Sequence, residues 1–169
     1  VMLAVCGYYG HDRFAVDDRE KDACGDTAVW AEWGTVFAEK LTGNFSFGYD
    51  HYDYRNDETV EEASAARLSF AINQWFGKAD FLYQAGNSHA VNFGLMSQLY
   101  NVNSGTYEPV GPNSLVRYDE LQKDKALESA VYIGDEWDIT SRLSINAGIR
   151  YSMLNALGPR TYYTYQEGM

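Results

Sequence analysis

Positive charge is scarce in this 169-residue chain: Lys and Arg total 13 against 24 Asp and Glu, a formal net charge of -11. A nucleic-acid partner is therefore not expected, because gripping a phosphate backbone takes Lys and Arg clustered on one face. Proline is rare, with 3 residues, and only 2 cysteines occur. No apolar run comes near the roughly 18–20 residues of a membrane-crossing helix. The longest, Val1 to Cys6, is far shorter. That absence leaves membrane strands open, since a barrel strand needs only about 9–11 residues of alternating character. Motifs for chemistry are missing too. The chain has no nucleophile elbow, phosphate loop or Cys-x-x-Cys pair. His11, His51 and His89 never fall at metal-ligand spacing. No catalytic residue, metal or cofactor is expected, and the chain does not read as an enzyme. His51 has Asp50 and Asp53 nearby, but adjacent strand residues point to opposite faces, which separates it from Asp50.

Tyrosine, with 14, and glycine, with 15, are abundant; half-buried strands and tight turns use both. Aromatic residues at 15% argue against disorder. A period of two runs through the chain. Leu143, Ile145, Ala147, Ile149 and Tyr151 fall on one side of a strand, and Ser144, Asn146, Gly148, Arg150 and Ser152 on the other. Val91, Phe93 and Leu95 oppose Asn92, Gly94 and Met96 in the same way, and Phe45, Phe47 and Tyr49 oppose Ser46, Gly48 and Asp50. The pattern predicts seven strands, over 1–9, 29–41, 44–54, 65–84, 89–101, 126–138 and 142–155. The 65–84 stretch changes phase midway, with Leu68, Phe70 and Ile72 on one face and Ala79, Phe81 and Tyr83 on the other. A bulge near Gly77 within one long strand would reset the phase; a hairpin at Trp75-Phe76-Gly77 is the alternative.

Connections sort by length. Thr42-Gly43, Ala85 to Ser88 and Asp138 to Ser141 read as short turns, and Gly10 to Thr27, Arg55 to Ala63 and Asn101 to Lys125 as long polar loops. Along an up-and-down meander the short turns share one rim and the long loops the other, as in outer-membrane barrels. Trp30, Trp33, Tyr49, Tyr52, Trp75, Tyr100, Trp137 and Tyr151 lie near the expected strand ends, where such barrels carry aromatic girdles. The fold class expected is all-β: an antiparallel up-and-down meander, part of a large transmembrane β-barrel. Val1 opens straight into a strand-like run and Gln166 to Met169 closes nothing, so the chain reads as a segment of a longer protein.

The stretch Ala126 to Ser152 resembles the penultimate-strand hairpin of TonB-dependent outer-membrane receptors. Tyr132, Asp135, the Asp138–Ser141 turn and Gly148-Ile149-Arg150-Tyr151 carry the likeness. Lys78 to Phe81 followed by His89 to Gly94 resembles another hairpin of that family. Tyr8 to Asp12, and Leu154 to Tyr165 with its Gly158-Pro159 pair, look like the Bacteroidetes branch. Members of the family fold as barrels of about 22 strands around a plug; the seven strands here would be a wall section with no plug domain and no TonB box. The resemblance implies outer-membrane localisation and import of a scarce nutrient such as a siderophore, cobalamin or glycan. Its implied partners are the rest of the barrel and the plug of the parent protein, TonB through that plug, a surface lipoprotein, and outer-membrane lipid. Two other readings stand beside it: a complete small outer-membrane barrel, and a soluble β-sandwich module that binds carbohydrate.

In this register the lipid-facing residues are Phe45, Phe47, Val91, Phe93, Leu95, Leu143, Ile145 and Ile149, and the lumen-facing polar candidates are Asp50, Asn92, Gln98, Asn146 and Arg150. Tyr107, Asn113 and Tyr118 in the longest loop are candidates for ligand contact, since functional residues concentrate on loops. The acidic run Asp17 to Asp22, continuing to Asp26, could in principle hold Ca²⁺, but it matches no EF-hand spacing and Arg19 and Lys21 dilute it, so it reads as a solvated loop. Cys6 and Cys24 flank a polar loop, and a disulfide across it would need an oxidising compartment.

Overall fold

The computed structural model describes residues 1–17 and 19–158. Asp18 of the acidic run, and residues 159–165 of the Leu154–Tyr165 segment, lie outside them. Eight strands form one antiparallel sheet: β1 (Met2–Asp17), β2 (Glu20–Ala38), β3 (Leu41–Glu58), β4 (Ala66–Gln84), β5 (His89–Pro109), the short β6 (Asp119–Glu120), β7 (Asp124–Thr140) and β8 (Leu143–Leu157). A 3₁₀ turn, Glu62–Ser64, sits between β3 and β4. The order is β1-β2-β3-β4-β5-β7-β8, with β6 beside β5, so the chain is an all-β up-and-down meander.

One arithmetic rule governs the sheet. Directly opposed residues of an antiparallel pair share a face. Along the main run of every long pair the opposed numbers have the same parity: Met2 with Gly34, Trp33 with Phe45, Phe45 with Ala79, Ala79 with Leu95, Leu95 with Val131, and Val131 with Tyr151. Odd residues therefore line one face and even residues the other, apart from the stretches next to bulges. The odd face carries cross-strand aromatic contacts from β2 to β5. Trp33 stacks on Phe45 at 5.2 Å and Phe81 on Phe93 at 5.2 Å, with Phe45 edge-on to Phe81 at 5.6 Å. Such pairs contribute about 0.5–1.5 kcal/mol each beyond burial.

The sheet is a single layer. Among the described residues the buried apolar side chains are only Ala65, Ala66 and Ala130, while Leu95 is 52% and Ile149 77% exposed. A β-sandwich needs a second sheet over that apolar face, and the described residues form one sheet. A complete small barrel needs β8 to pair with β1, and these two strands stand at the open edges.

Several expectations need correction. The strands run far beyond their expected ends at one rim. Gly10 to Thr27 is not a loop but the outer part of a β1–β2 hairpin, with Asp12 opposite Cys24 and Phe14 opposite Asp22. β3 continues to Glu58 and β5 to Pro109. Polar residues there keep the ladder because they alternate across the sheet as the apolar ones do elsewhere. The long loops shrink to residues 59–65 and 110–123, and the latter is tied down by Val110 N and Ser114 Oγ donating to the Ala65 carbonyl, at 3.0 and 2.7 Å. At the other rim the tight turns fall at Glu39-Lys40 and Ser141-Arg142, and the 85–88 turn stands where expected. Gly43 is not a turn glycine. It lies in β3, where a Cβ would meet the rings of Phe37 and Phe81. β4 is one unbroken strand, but the bulge is not at Gly77: the β3–β4 register runs without a shift from Glu58–Ala66 to Leu41–Tyr83. The irregularity instead faces Ser69–Ala71, where β5 places three steps, Asn103 to Thr106, against two.

The cysteine pair is also corrected. Cys6 opposes Trp30 and Cys24 opposes Asp12, six residues further along β1. At about 3.3 Å per residue that is about 20 Å, well past the 7 Å Cα limit for a disulfide, and both thiols are free. Titration with a thiol reagent after unfolding without reductant should therefore find two thiols per chain. At Gly94 an added Cβ would strike the Ala79 carbonyl and the Tyr132 hydroxyl. Gly94→Ala should cost about 1–3 kcal/mol in urea unfolding, whereas Gly86→Ala tests only the positive φ of 101° at an open turn.

Candidate functional site: two faces whose polarity exchanges along the strands

The odd face is apolar over its middle. Leu3, Trp33, Phe45, Ala79, Leu95, Val131 and Tyr151 form one row across the seven long strands. The row of Phe81, Phe93, Ile133 and Ile149 lies on one side of it. All eight residues expected on the lipid side, Phe45, Phe47, Val91, Phe93, Leu95, Leu143, Ile145 and Ile149, share this face. Tyr49 and Trp75, 4.7 Å apart, bound the apolar stretch at one end. Tyr83 on β4, and His89 stacked on Trp137 at 5.5 Å, bound it at the other. From Trp75 to Tyr83 β4 covers eight steps, about 26 Å along the strand, or about 20 Å of height at a tilt of about 40°, which fits within the roughly 25 Å apolar band of outer-membrane barrels. His89 Nδ1 lies 2.7 Å from Asp135 Oδ2 and so partners the carboxylate that β7 places on this face. No helix among the described residues is long and apolar enough to cross a membrane.

The aromatic residues expected as girdles divide. Tyr49, Trp75 and Trp137 do sit at the ends of the apolar stretch. Trp33 and Tyr151 sit in its middle row, and Trp30, Tyr52 and Tyr100 point to the even face. Strand propensity alone placed those five near apparent strand ends.

Beyond the Tyr49–Trp75 row the polarity of the sheet inverts while the backbone continues unbroken. The odd face becomes charged, with Arg13, Lys21, Asp53, Arg55, Asp57 and Arg67. Arg67 donates to both oxygens of Asp57, Nε at 2.6 Å and Nη2 at 3.0 Å, and its Nη1 reaches Glu108 at 3.2 Å. His51 Nδ1 lies 2.8 Å from Asn73 Oδ1, and its Nε2 is 3.4 Å from Asp53, so it stands apart from Asp50, as the alternation requires. The even face becomes aromatic. Tyr54 stacks on Phe70 at 5.0 Å, and the Tyr52 ring lies 6.1 Å from the same ring. The phase change in β4 is thus an exchange of surroundings: Phe70 belongs to an aromatic even face and Phe81 to an apolar odd one.

Along the middle of the sheet the even face is polar. Asp50, Asn92, Gln98, Asn146 and Arg150 all lie on it, but the structure gathers only some of them. Tyr100 donates to Gln98 and Glu128, at 3.1 and 3.2 Å. The Arg150 guanidinium lies 5.7 Å over the Tyr132 ring. Tyr132 in turn donates to Asp80, and Lys78 pairs with Asp80 at 2.8 Å. Asn92 fills the space a Cβ on Gly134 would take. An open depression of about 570 Å³ lies beside this network, lined in part by Asn44, Asp80, Asn92 and Tyr132.

Sequence reasoning missed Asp22, Tyr54 and Asn56. Tyr54 and Asn56 donate to Asp22 Oδ1 at 2.5 and 2.9 Å, and these bonds, Tyr54 first, hold the Asp22 carboxyl below its usual value. Asp22 belongs to the run read as a solvated acidic loop. The alternation Asp22, Cys24, Asp26 against Lys21, Ala23, Gly25 was the available signal. No cluster of metal-ligating side chains forms among the described residues. The loop candidates have separate partners. Tyr107 lies in β5 opposite Leu68, Asn113 Nδ2 donates to Glu62 at 2.9 Å, and Tyr118 donates to Glu120 at 2.8 Å.

No family model matches the chain, and no curated protein matches it. Among solved structures the chain is similar to BauA, the ferric preacinetobactin receptor of Acinetobacter baumannii, with a TM-score of 0.66 at 11% identity. The match covers 92% of this chain and 31% of that receptor, so the chain spans about a third of its length. The likeness is one of fold: a wall of antiparallel strands.

Hydrogen bonds from Arg67, opposed by burial and reinforced by the nearby Arg67 charge, hold the Asp57 carboxyl below the usual carboxylate range. A depressed carboxylate adds stability that is full above the unfolded value and is lost as pH falls through the folded one. Unfolding stability should therefore drop on acidification below about pH 4. Asp57→Asn should remove that component and cost about 1 kcal/mol at pH 7, read by chemical denaturation at both pH values.

Proposed function

We propose that this chain is a wall section of a TonB-dependent outer-membrane receptor that imports a scarce nutrient, with its odd face toward lipid and its even face toward the barrel interior. The inversion of polarity at the Tyr49–Trp75 row carries the reading. A sheet wholly in water has no reason to expose Trp33, Phe47 and Trp75 on the same face that, further along the same strands β2, β3 and β4, carries Lys21, Arg55 and Arg67. A sheet that crosses hydrocarbon and continues into water on its outer side needs that arrangement. Short turns at one rim and extended strands at the other agree with it, as do the likeness to a siderophore receptor and the resemblance carried by Ala126 to Ser152.

In this reading the even-face network of Asp80, Tyr132 and Arg150 meets the plug or the passing solute, and Tyr52, Tyr54 and Phe70 line the outer mouth. The solute is a siderophore, cobalamin or glycan. TonB acts through the plug of the parent protein, a surface lipoprotein covers the mouth, and the wall itself catalyses nothing. The edges of β1 and β8 pair with further strands of the same barrel, because unpaired backbone N–H and C=O groups find no partner in lipid.

Depth within the band sets the test. Leu95 and Val131 lie in its middle row, while Ile145 lies opposite Trp137 at its rim. Leu95→Arg should cost about 2–4 kcal/mol of folding free energy in lipid vesicles, and Ile145→Arg only about 0–1 kcal/mol. Equal costs, or a tolerated Leu95→Arg, would overturn the assignment of the odd face to lipid.

A further inference from the structure

Beyond the Tyr49–Trp75 row the even face carries three successive rows of side chains. Asp26, Tyr52, Ile72 and Val102 form the row nearest the apolar band. Asp12, Cys24, Tyr54 and Phe70 form the next. Phe14, Asp22, Asn56, Leu68 and Tyr107 form the outermost. Tyr107 reaches this face because the β5 irregularity opposite Ser69–Ala71 exchanges the parity of the strand beyond it. Glu108 passes to the other face by the same exchange, and meets Arg67 there. Phe14, Leu68 and Tyr107 are exposed, and Tyr52, Tyr54 and Phe70 are half-buried. The patch is thus an aromatic surface of one sheet layer, with nothing packed over it among the described residues.

Carboxylates interleave with these rings, and cations do not. Beyond the same row the strand lysines and arginines of β1 to β4, Arg13, Lys21, Arg55 and Arg67, all stand on the odd face. The even-face strand cations Lys78 and Arg150 lie lower. Lys78 is opposite Ser46, six residues and about 20 Å along β3 from Tyr52, and it pairs with Asp80. Lys123, in the loop before β7, is taken up by Glu120 at 3.1 Å. Among the described residues no Lys or Arg pairs with Asp12, Asp22 or Asp26. The partners of Asp22 are Tyr54 and Asn56, which are neutral donors, so its negative charge is fixed in place and not cancelled.

We propose that this face selects a solute bearing an organic cation, an ammonium or guanidinium group, over anionic and neutral solutes. The inference rests on the barrel-wall reading, which turns the even face inward, and deepens it by fixing the charge class of what enters. The faces of Tyr52, Tyr54 and Phe70 attract a cation through the ring quadrupole. Asp12, Asp22 and Asp26, adjacent to those rings in the ladder, add a potential of the same preference, which a cleft with low-dielectric walls focuses. An anion would meet the three carboxylates with no cation to offset them. A neutral sugar would stack on the rings and gain nothing from the carboxylates.

The test measures the affinities of naphthylethylammonium, naphthylethanol and naphthylacetate, one ring with three charges, by saturation-transfer NMR on the protein in phosphatidylcholine nanodiscs. Tryptophan quenching by brominated acyl chains, in the same discs, reads the membrane seat separately. The ammonium should bind about tenfold more tightly than the acetate, with the alcohol between them. Asp12→Asn/Asp26→Asn should remove most of that ratio and leave quenching unchanged. Asp53→Asn/Asp138→Asn makes the same change in net charge, on the odd face and at the opposite rim, and should leave the ratio as it was. Equal binding of the three probes, with quenching intact, overturns the cation selectivity and leaves the barrel-wall reading standing. An equal fall in the ratio for both double variants also overturns it, by assigning the preference to the net charge of the chain. Absence of quenching removes the barrel-wall reading, and with it the assignment of this face to a passing solute.

Discussion

The backbone ladder is the constraint on which everything else depends. Each interior strand satisfies its N–H and C=O groups on both sides, and it can do so only in a register that its neighbours share. Because that register preserves residue parity from β1 to β8 except beside the bulges, one alternation decides the face of most side chains in the sheet. A slip of one residue in any strand would carry its Phe, Leu or Ile to the polar side. The aromatic contacts Trp33–Phe45, Phe45–Phe81 and Phe81–Phe93 oppose such a slip, since each exists only in the observed pairing.

With the faces settled by the ladder, the surroundings decide what each face carries. The same strand β4 places Phe81 on the odd face at one end and Arg67 on that face at the other, and Asp80 on the even face where Phe70 lies on it further along. A hydrophobic core of the usual kind is missing among the described residues. Cross-strand contacts within one layer, and the medium beside it, must supply what a second layer supplies elsewhere. Side-chain bonding on the even face, from Tyr132 to Asp80 and from Tyr54 and Asn56 to Asp22, ties neighbouring strands together where apolar contact is sparse.

The open edges connect the fold to its proposed role. Among the described residues β1 and β8 end the sheet, each paired on one side only. Their exposed backbone groups would favour aggregation in water and have no satisfaction in lipid, which is why a wall section reads as one part of a closed barrel. The likeness to about a third of a receptor of known structure has the same meaning at the level of fold.

Alternation in Val91 to Leu95 and in Leu143 to Tyr151 made the strands, the meander and the two-faced character legible from residues alone, because strand side chains alternate whatever lies on either side. The sequence also placed Asp50 and His51 on opposite faces. It did not reveal the length of the strands. Gly10 to Thr27 and Arg55 to Glu58 look like loops because their residues are polar, yet polar residues alternate in a ladder as well as apolar ones do. Nor could it separate Gly43 as a space for Phe37 and Phe81 from Gly43 as a turn. What the sequence by itself determined is the period of two. Which strand stands beside which, and therefore that Asp22 meets Tyr54, that Asp12 lies in one row with Tyr54 and Phe70, and that Cys6 and Cys24 stay far apart, only the tertiary structure decided, because those distances are set by cross-strand register and not by spacing along the chain.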